Sequence, residues 1–242
     1  APGYTPPFDD PQAPAPFAHR EPGQVGQALV IAPASAATIA RLAQGQADEL
    51  LACQALAFRG KAVIAPAMNP AMWSHPATQA NIATLRERGC AVVEPGCGRT
   101  ACGEEGQGRL ADLREIYLAG LRALAPQDME GIRVRVPIGP TRGPWDGLRF
   151  WTNPSTGTMG AAVAVAAWLR GARVEAVCGP GTPWLPAGIA RHNVGSARHM
   201  LEAAASVWPQ CDAGVFTAAV ADFSPVPPAQ GGDKKFKKSD AP

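Results

Sequence analysis

The sequence predicts an α/β protein whose parallel sheets are divided between two domains. Short apolar runs, 28–32 and 61–65 among them, alternate with segments of helical periodicity, and no hairpin turn signal separates them. A polar break with proline and glycine interrupts this alternation at 126–131. The 242 residues, of which 46% are hydrophobic, are ample for two packed cores. We therefore expect a first domain over 19–125, a linker over 126–131 and a second domain over 132–242.

The first domain is predicted to contain three buried strands. The run 28–32 is continuously apolar, as in a strand covered on both faces, and Pro33 is expected to stop it. Residues 61–65, which end before a proline, and 90–93 are predicted as the second and third strands. A glycine-rich loop is expected over 94–108. The predicted helices run through Leu42, after Gly45 through Ala57, from an N-cap at Thr78 through Leu85, and from Asp112 to about Leu124.

The second domain begins with a similar alternation. A long loop over 139–160 leads into a helix, and the free N–H groups and dipole of a helix N-terminus favour an anion. A nucleotide-type site is therefore predicted at this loop, although the loop lacks a GxGxxG pattern. The predicted strands are 132–138, 173–178 and 214–219, and the predicted helices are 161–170 and 198–208.

Composition excludes several classes of protein. A net charge of +2 gives no field suited to nucleic acid or an anionic membrane. The six cysteines form no CxxC pair, which argues against structural zinc and a secreted disulfide scaffold. We find no run of about 18 apolar residues and no signal peptide. Residues 1–18, with six prolines, are predicted to be an extended tail. We expect a soluble cytoplasmic protein that binds neither membranes nor nucleic acid.

Two loops of the first domain carry residue types that are suited to chemistry. Asn69 and Cys102 both follow predicted strands, and the carboxyl ends of parallel strands are where such sheets bind ligands. Taken singly, each residue has another explanation. Asn69 precedes proline and can be a turn residue, Cys102 can be a small buried hydrophobe, and His19 can be merely solvent-exposed.

Taken together, these residues resemble the flavin-dependent phosphopantothenoylcysteine decarboxylases. The family pattern Pro-x-Met-Asn-x-x-Met falls on residues 66–72, and Ala-Cys-Gly-Glu-x-Gly-x-Gly-Arg falls on residues 101–109. His19 lies fourteen residues before Pro33 of Ala32-Pro-Ala-Ser35, as the family's catalytic histidine does before its flavin-binding turn. The resemblance implies a partial flavodoxin-like domain, a three-layer fold with a parallel sheet.

The resemblance also implies a reaction and the residues that perform it. FMN oxidises the cysteine moiety of 4'-phosphopantothenoylcysteine, the adjacent carboxylate leaves as carbon dioxide, and the resulting enethiol is reduced and protonated. His19 is implied as a base, Asn69 as the holder of the substrate carboxylate, and Cys102 as the proton donor. The other implied contacts are Pro33, Ala34, Ser35 and Met68 with FMN and Met72 with the substrate, with Glu104 and Arg109 as support.

A second block, from residue 131 to residue 238, resembles the bacterial phosphopantothenate-cysteine ligases. Without that context, the lysine run 234–238 would be a solvated tail and Asn153 a helix cap or turn. The resemblance implies a partial Rossmann-like domain in which CTP with Mg²⁺ activates 4'-phosphopantothenate as an acyl-cytidylate, which cysteine then attacks. The implied contacts are Asn153 with the acyl-cytidylate, Asp222, Lys235, Gly157 and Gly160 with CTP, and Arg142 and Arg149 with the substrate; the metal ligands are not identified.

These resemblances make an incomplete bifunctional enzyme of coenzyme A synthesis the leading hypothesis. Family members have a further strand, turn and helix before the position of His19 and more sequence after the lysine run, so we expect truncation at both ends. Homo-oligomers are expected, since the family decarboxylases form trimers and the ligases form dimers. Two alternatives are a non-catalytic flavodoxin-like binding or regulatory module and a peptidyl-cysteine flavin decarboxylase. The ligase-like block argues against the peptide enzyme.

Overall fold

The computed structural model describes residues 25–99, 103–146 and 148–223. Contacts divide the chain into one compact unit that ends at Ala125 and another that begins at Pro126. None of the helices formed by the described residues combines the length and the apolar composition needed to span a bilayer. The tail predicted for residues 1–18 and the lysine run 234–238 lie outside the described residues.

The first unit is built on a three-stranded parallel sheet with the strand order β1-β2-β3. An antiparallel hairpin, β4-β5, follows the sheet along the chain. The strands are β1 (Ala28–Ala34), β2 (Lys61–Pro66), β3 (Ala91–Val92), β4 (Gly96–Arg99) and β5 (Glu105–Arg109). The helices are α1 (Ala36–Gln44), α2 (Leu50–Ala57), α3 (Pro70–Ser74), α4 (Pro76–Glu87) and α5 (Leu113–Leu124).

Helices cover both faces of this sheet. Successive side chains of a strand point to opposite faces of the sheet, so the contacts of Ile64 and Ala65 in β2 show what covers each face. Ile64 lies in a buried cluster with Ile39 of α1 and Ile82 of α4. Ala65 lies in a separate cluster with Ile116 of α5. The predicted three-layer α/β arrangement with a parallel sheet is thus confirmed for this unit.

Three predicted boundaries in the first unit are wrong. Strand β1 continues past Pro33 to Ala34, with a register shift after Ile31. Within the described part of the chain β1 pairs with β2 alone, and a strand in that position tolerates a residue without an N–H. Helix α4 begins at Pro76 and is capped by the His75 ring, whereas Thr78 is a buried residue inside the first turn. The glycine-rich segment 94–108 contains the β4-β5 hairpin instead of only a loop.

The second unit contains a four-stranded parallel sheet with the order β10-β9-β6-β11. The chain forms β6, β9 and β10 side by side and then returns to the free side of β6, so the direction of winding reverses between β6 and β11. The elements are β6 (Arg133–Ile138), the hairpin β7 (Arg142–Pro144) and β8 (Phe150–Thr152), α6 (Thr158–Leu169), β9 (Arg173–Cys178), β10 (Ala190–Asn193), α7 (Ala197–Val207), a 3₁₀ turn (Trp208–Gln210) and β11 (Ala213–Gly214).

The central strand β6 is buried on both faces. Val134 and Val136 pack in the main core with Ala164 of α6. Arg135 points the other way and is fully buried; it donates to the Ala204 carbonyl of α7 and to Glu175 of β9, at 3.2 Å. A buried guanidinium is tolerated only with such partners, and they tie α7 to the second face of the sheet.

The predicted elements of the second unit need three corrections. The loop over 139–160 contains the β7-β8 hairpin, which closes where Thr152 donates to the Thr141 carbonyl at 2.9 Å. Helix α6 begins at Thr158 instead of residue 161. The strand predicted over 214–219 is reduced to Ala213–Gly214 and an isolated bridge between Pro140 and Ala219.

Candidate functional site

The carboxyl edge of the first sheet brings together the loops that follow β1, β2 and the β4-β5 hairpin. Ala67 N–H donates to the Ala34 carbonyl at 3.0 Å, and Met68 N–H donates to the Gly108 carbonyl at 2.9 Å. These two bonds join residues that are 33 and 40 positions apart in the sequence. The predicted flavin residues and Asn69 therefore share one edge of the sheet, as the position of the loops indicated.

The loop after β1 ends in a helix cap. The Ser35 hydroxyl accepts from Thr38 N–H at 3.2 Å, and the two hydroxyl oxygens of these residues are 3.0 Å apart. Ala34 is fully buried, and Pro33 precedes it at the end of β1. This edge thus presents a hydroxyl and the first turn of α1, while Met68 packs against the core from the next loop.

Asn69 is held at both ends of its side-chain amide. Its Oδ1 atom accepts from Ala71 N–H at 2.7 Å and thereby caps α3. Its Nδ2 atom donates to Glu104 Oε2 at 2.5 Å. The turn explanation of Asn69 is therefore correct locally, and it does not compete with a functional role because Nδ2 carries a second N–H. The half-exposed Met72 lies on α3 itself.

The β4-β5 hairpin is pressed against the Asn69 loop at two glycines. A Cβ atom added to Gly108 would lie 2.3 Å from the Met68 carbonyl oxygen, and one added to Gly106 would lie 2.9 Å from Pro70 Cβ. Only glycine permits this approach. The hairpin carries Arg99 and Arg109 at exposed positions of its strands.

Two predicted catalytic residues of this site, His19 and Cys102, lie outside the described residues. Three of the other cysteines differ clearly in environment. Burial raises the pKa of the Cys90 and Cys178 thiols, which makes them poor thiolate nucleophiles. Cys97 is exposed on β4 and provides a natural comparison for Cys102.

In the second unit, the loops that follow β6 and β11 meet at the point where the winding of the sheet reverses. Ala219 N–H donates to the Gly139 carbonyl at 3.0 Å, and Ala221 N–H donates to the Thr141 hydroxyl at 3.0 Å. Thr141 is fully buried. In open α/β sheets, ligands bind in the crevice at such a reversal. Thr141 lies in this crevice, whereas the sequence patterns predicted only its neighbour Arg142 as a site residue.

Asn153 joins the loop before α6 to the loop after β11. Its Nδ2 atom donates to the carbonyls of Ala219 and Val220, at 3.3 and 3.1 Å. Both N–H groups of the amide are thereby directed at the protein, and Oδ1 is the atom left to face a ligand. Asp222, also predicted to contact the nucleotide, is exposed two residues beyond Val220. Lys235 lies outside the described residues.

Two predicted glycines shape the start of α6. Gly157 is the N-cap in a left-handed conformation (φ 70°) and has no side chain with which to cap the helix, while Thr158 N–H donates to Thr156 Oγ1 at 3.4 Å. A Cβ atom added to Gly160 would lie 2.2 Å from Thr217 Oγ1. The helix N-terminus therefore lies directly against the loop after β11, with N–H groups suited to an anion.

The two predicted substrate-binding arginines lie in the β7-β8 hairpin region. Arg142 places its guanidinium 4.3 Å from the centroid of the Phe150 ring. Arg149 lies 4.2 Å from the centroid of the Trp145 ring and forms an ion pair with buried Asp146 at 2.6 Å. The Asp146 partner gives Arg149 a structural role in this turn that the sequence patterns did not indicate; substrate binding by either arginine remains a prediction.

Among the residues described, no group of three histidine, cysteine, aspartate or glutamate side chains could hold a metal ion. A Mg²⁺ ion that accompanies a triphosphate takes many of its ligands from phosphate and water, so its site need not be built from the protein alone.

Comparison with known proteins finds matches to both units. Residues 11–120 match the family described as Flavoprotein, and residues 129–242 match the DNA/pantothenate metabolism flavoprotein C-terminal domain. Coenzyme A biosynthesis bifunctional protein CoaBC of Mycolicibacterium smegmatis is 43% identical over 223 residues, which cover 90% of this chain and 54% of that protein. The CoaBC protein of Bacillus subtilis is 40% identical over 241 residues, which cover 98% and 58%. The chain thus spans little more than half the length of these relatives.

Two solved structures are each similar to part of this chain. A mutant PPC decarboxylase in complex with pantothenoylaminoethenethiol is 36% identical, with coverage of 44% of this chain and 59% of that chain and a TM-score of 0.42. The C-terminal domain of a CoaBC protein is 41% identical, with coverage of 40% and 50% and a TM-score of 0.39.

Proposed function

We propose that this homologue of the CoaBC proteins, which joins a Flavoprotein domain to a DNA/pantothenate metabolism flavoprotein C-terminal domain, acts in coenzyme A biosynthesis. Its first unit catalyses the FMN-dependent decarboxylation of 4'-phosphopantothenoylcysteine to 4'-phosphopantetheine. The observation that carries this proposal is the Asn69 amide, which is held by Ala71 and Glu104 at the ligand-binding edge of the sheet. A residue that only formed a turn would not need its Nδ2 atom oriented by a carboxylate.

The residues at this edge suit a flavin. The Ser35 hydroxyl and the first turn of α1 offer hydrogen bonds to the polar rim of a flavin ring, and Met68 offers an apolar wall. Pro33 and Ala34 shape the turn that presents them. When bound, FMN supplies the two-electron oxidation and reduction that the amino acid side chains cannot perform.

The protein side chains would handle the carboxylate and the protons. Asn69 donates its second Nδ2–H to the substrate carboxylate and holds it for departure. His19 acts as the base during decarboxylation, and Cys102 protonates the enethiol carbon as the product forms. Met72 contacts the substrate from α3.

The decarboxylase proposal is tested with the purified chain, FMN and 4'-phosphopantothenoylcysteine. Cys102→Ser should release carbon dioxide but fail to form the saturated product, because only the last protonation is blocked. Cys97→Ser, the same change at an exposed cysteine of β4, should leave both steps unchanged. Equal loss of both steps in Cys102→Ser would refute the proton-donor role, and a wild-type chain without carbon dioxide release would refute the activity.

We further propose that the second unit ligates 4'-phosphopantothenate and cysteine with CTP and Mg²⁺. The crevice between β6 and β11 and the α6 N-terminus support a nucleotide site, with Gly157 and Gly160 beside the phosphates. Asp222 and Lys235 contact CTP, and Asn153 stabilises the acyl-cytidylate.

The test of the ligase proposal is Asn153→Asp. A carboxylate cannot donate to the carbonyls of Ala219 and Val220, and its charge opposes a phosphate, so conversion of a preformed acyl-cytidylate should fall by at least tenfold. Asn193→Asp at the end of β10 is the control, because the Asn193 oxygen already accepts from Arg191 at 2.8 Å. Unchanged turnover in Asn153→Asp would remove this residue from the site.

The match of residues 129–242 to the pantothenate-metabolism domain supports this proposal over a peptidyl-cysteine decarboxylase, which needs no such domain. Carbon dioxide release would likewise exclude a non-catalytic module. Homo-oligomerisation and a cytoplasmic location remain predictions.

A further inference from the structure

The contact between Glu104 and Asn69 has a well-defined orientation. Asn69 Oδ1 faces a backbone N–H and Nδ2 faces a carboxylate. If the amide were flipped, Nδ2 would face the Ala71 N–H and Oδ1 would face the Glu104 carboxylate. Neither pair could form a hydrogen bond, so only the observed orientation is favourable. Glu104 thus determines where the N–H groups of Asn69 point.

The same contact places a negative charge beside the proposed substrate carboxylate. One Nδ2–H of Asn69 donates to Glu104. If the other donates to the substrate, two carboxylates share one nitrogen, and two acceptors at hydrogen-bond distance from one NH₂ group lie roughly 5 Å apart. At this separation like charges repel even in a solvated site.

The fold keeps this charge in place. Glu104 immediately precedes β5, and β5 is bound to the Asn69 loop through the Met68–Gly108 hydrogen bond of 2.9 Å and the close approach at Gly106. The carboxylate therefore does not have to be recruited when substrate binds, which is the condition for an electrostatic effect on a reaction.

We propose that Glu104 is a positioning residue for decarboxylation, an inference that rests on the proposed function of the first unit. It orients the Asn69 amide, and its charge destabilises the bound substrate carboxylate. Bound FMN would supply the oxidation of the sulfur-bearing carbon, and the bond that then breaks is the one between the adjacent carbon and the carboxyl carbon. Its electron pair moves through the substrate to sulfur, and neutral carbon dioxide leaves. Negative charge thereby moves away from Glu104, so the repulsion is relieved as the reaction proceeds.

Two substitutions separate the two effects. Glu104→Gln keeps an acceptor for Asn69 Nδ2 and removes the charge, whereas Glu104→Ala removes both. Glu105→Gln is the matched control, because it makes the same change in net charge at the next residue. Glu104→Asp keeps the charge on a shorter side chain and should restore part of the wild-type behaviour.

The binding experiment uses a pair of unreactive ligands on the FMN-loaded protein. In one, the cysteine of the substrate is replaced by serine, and in the other the same compound lacks the carboxylate. Glu104→Gln should improve the affinity for the carboxylated ligand relative to the other by about four- to tenfold, as expected for loss of a charge at roughly 5 Å. Glu104→Ala should weaken binding of the carboxylated ligand and shift the Asn69 side-chain amide signals in NMR spectra.

Turnover completes the test. With 4'-phosphopantothenoylcysteine, Glu104→Gln should lower kcat while KM falls, since binding of the carboxylate improves and its departure loses a driving force. The inference is overturned if Glu104→Gln leaves the affinity ratio unchanged or if Glu105→Gln changes it equally. A wild-type protein that binds both ligands but releases no carbon dioxide would instead refute the proposed function, and the inference with it.

Discussion

Replacement of Gly108 by alanine should detach the β4-β5 hairpin from the Asn69 loop. The added Cβ atom would lie 2.3 Å from the Met68 carbonyl oxygen, at least 0.7 Å inside the closest approach, 3.0 Å, that such atoms make. The neighbouring atom is backbone, so it cannot rotate away. The hairpin must move, and with it the bond from Met68 N–H to the Gly108 carbonyl.

The cost follows from these two changes. Overpacking of this kind costs about 1–3 kcal/mol, and a lost backbone hydrogen bond adds roughly 1 kcal/mol. We therefore expect a loss of about 2–4 kcal/mol in the free energy of unfolding of the first unit. The displaced hairpin should also release the Asn69 amide from Glu104.

Gly98→Ala is the matched control on the same hairpin. Its backbone conformation is comparable, with φ 142° against 155° at Gly108, but the nearest atoms to an added Cβ are 3.9 Å away. Urea denaturation followed by hydrogen-exchange mass spectrometry measures both variants, because peptides from 61–74 report on the first unit alone. If the two variants lose equal stability, the cost lies in the backbone conformation and the close-approach argument is refuted.

Three further substitutions test other parts of the structure. Hydrogen bonds from the Arg114 side chain and from the Arg114 N–H lower the pKa of Asp112 to about 2. The stability that the Asp112 carboxylate contributes is therefore present above its unfolded pKa near 4 and is lost as the pH falls toward 2. Asp112→Asn should accordingly show a smaller fall in urea midpoint between pH 5 and pH 2.5 than the wild type. Asp146→Asn should destabilise the β7-β8 hairpin by about 2–3 kcal/mol, because the buried carboxylate accepts from two backbone N–H groups and from Arg149. Hydrogen exchange in that hairpin should become faster, and unchanged exchange would contradict this prediction. Gly160→Ala should lower the free energy of unfolding by about 1–3 kcal/mol, since the added Cβ would lie 2.2 Å from a threonine hydroxyl oxygen. The same change should weaken CTP binding measured by calorimetry, and an unchanged CTP affinity would show that the start of α6 is not part of the nucleotide site.

The buried parallel strands could be predicted because their signals are local. The strands predicted at 61–65 and 173–178 correspond closely to β2 and β9. Asp112 caps α5 through Arg114 N–H at 2.9 Å, as its position before an amphipathic segment indicated. Strand burial and helix capping depend on neighbours within a few residues, so the sequence pattern contains them.

The two hairpins could not be predicted, because tertiary contacts stabilise them. Strands β4 and β5 contain four glycines in nine residues and offer almost no apolar alternation. They form because Gly108 and Gly106 allow the hairpin to pack on the Asn69 loop. In the second unit, buried Asp146 organises the β7-β8 turn through bonds that composition does not reveal.

The sequence by itself determined the residue types of both candidate sites and their position after parallel strands, since motif spacing and strand order are properties of the chain. The tertiary structure decided how those residues can act. It directs both amide N–H groups of Asn153 to the loop after β11, engages Arg149 with Asp146, and brings Glu104 to Asn69 across 35 residues of sequence. Hydrogen-bond orientation depends on where separate loops meet in space, and that information lies in the packing of the sheets and not in any one segment.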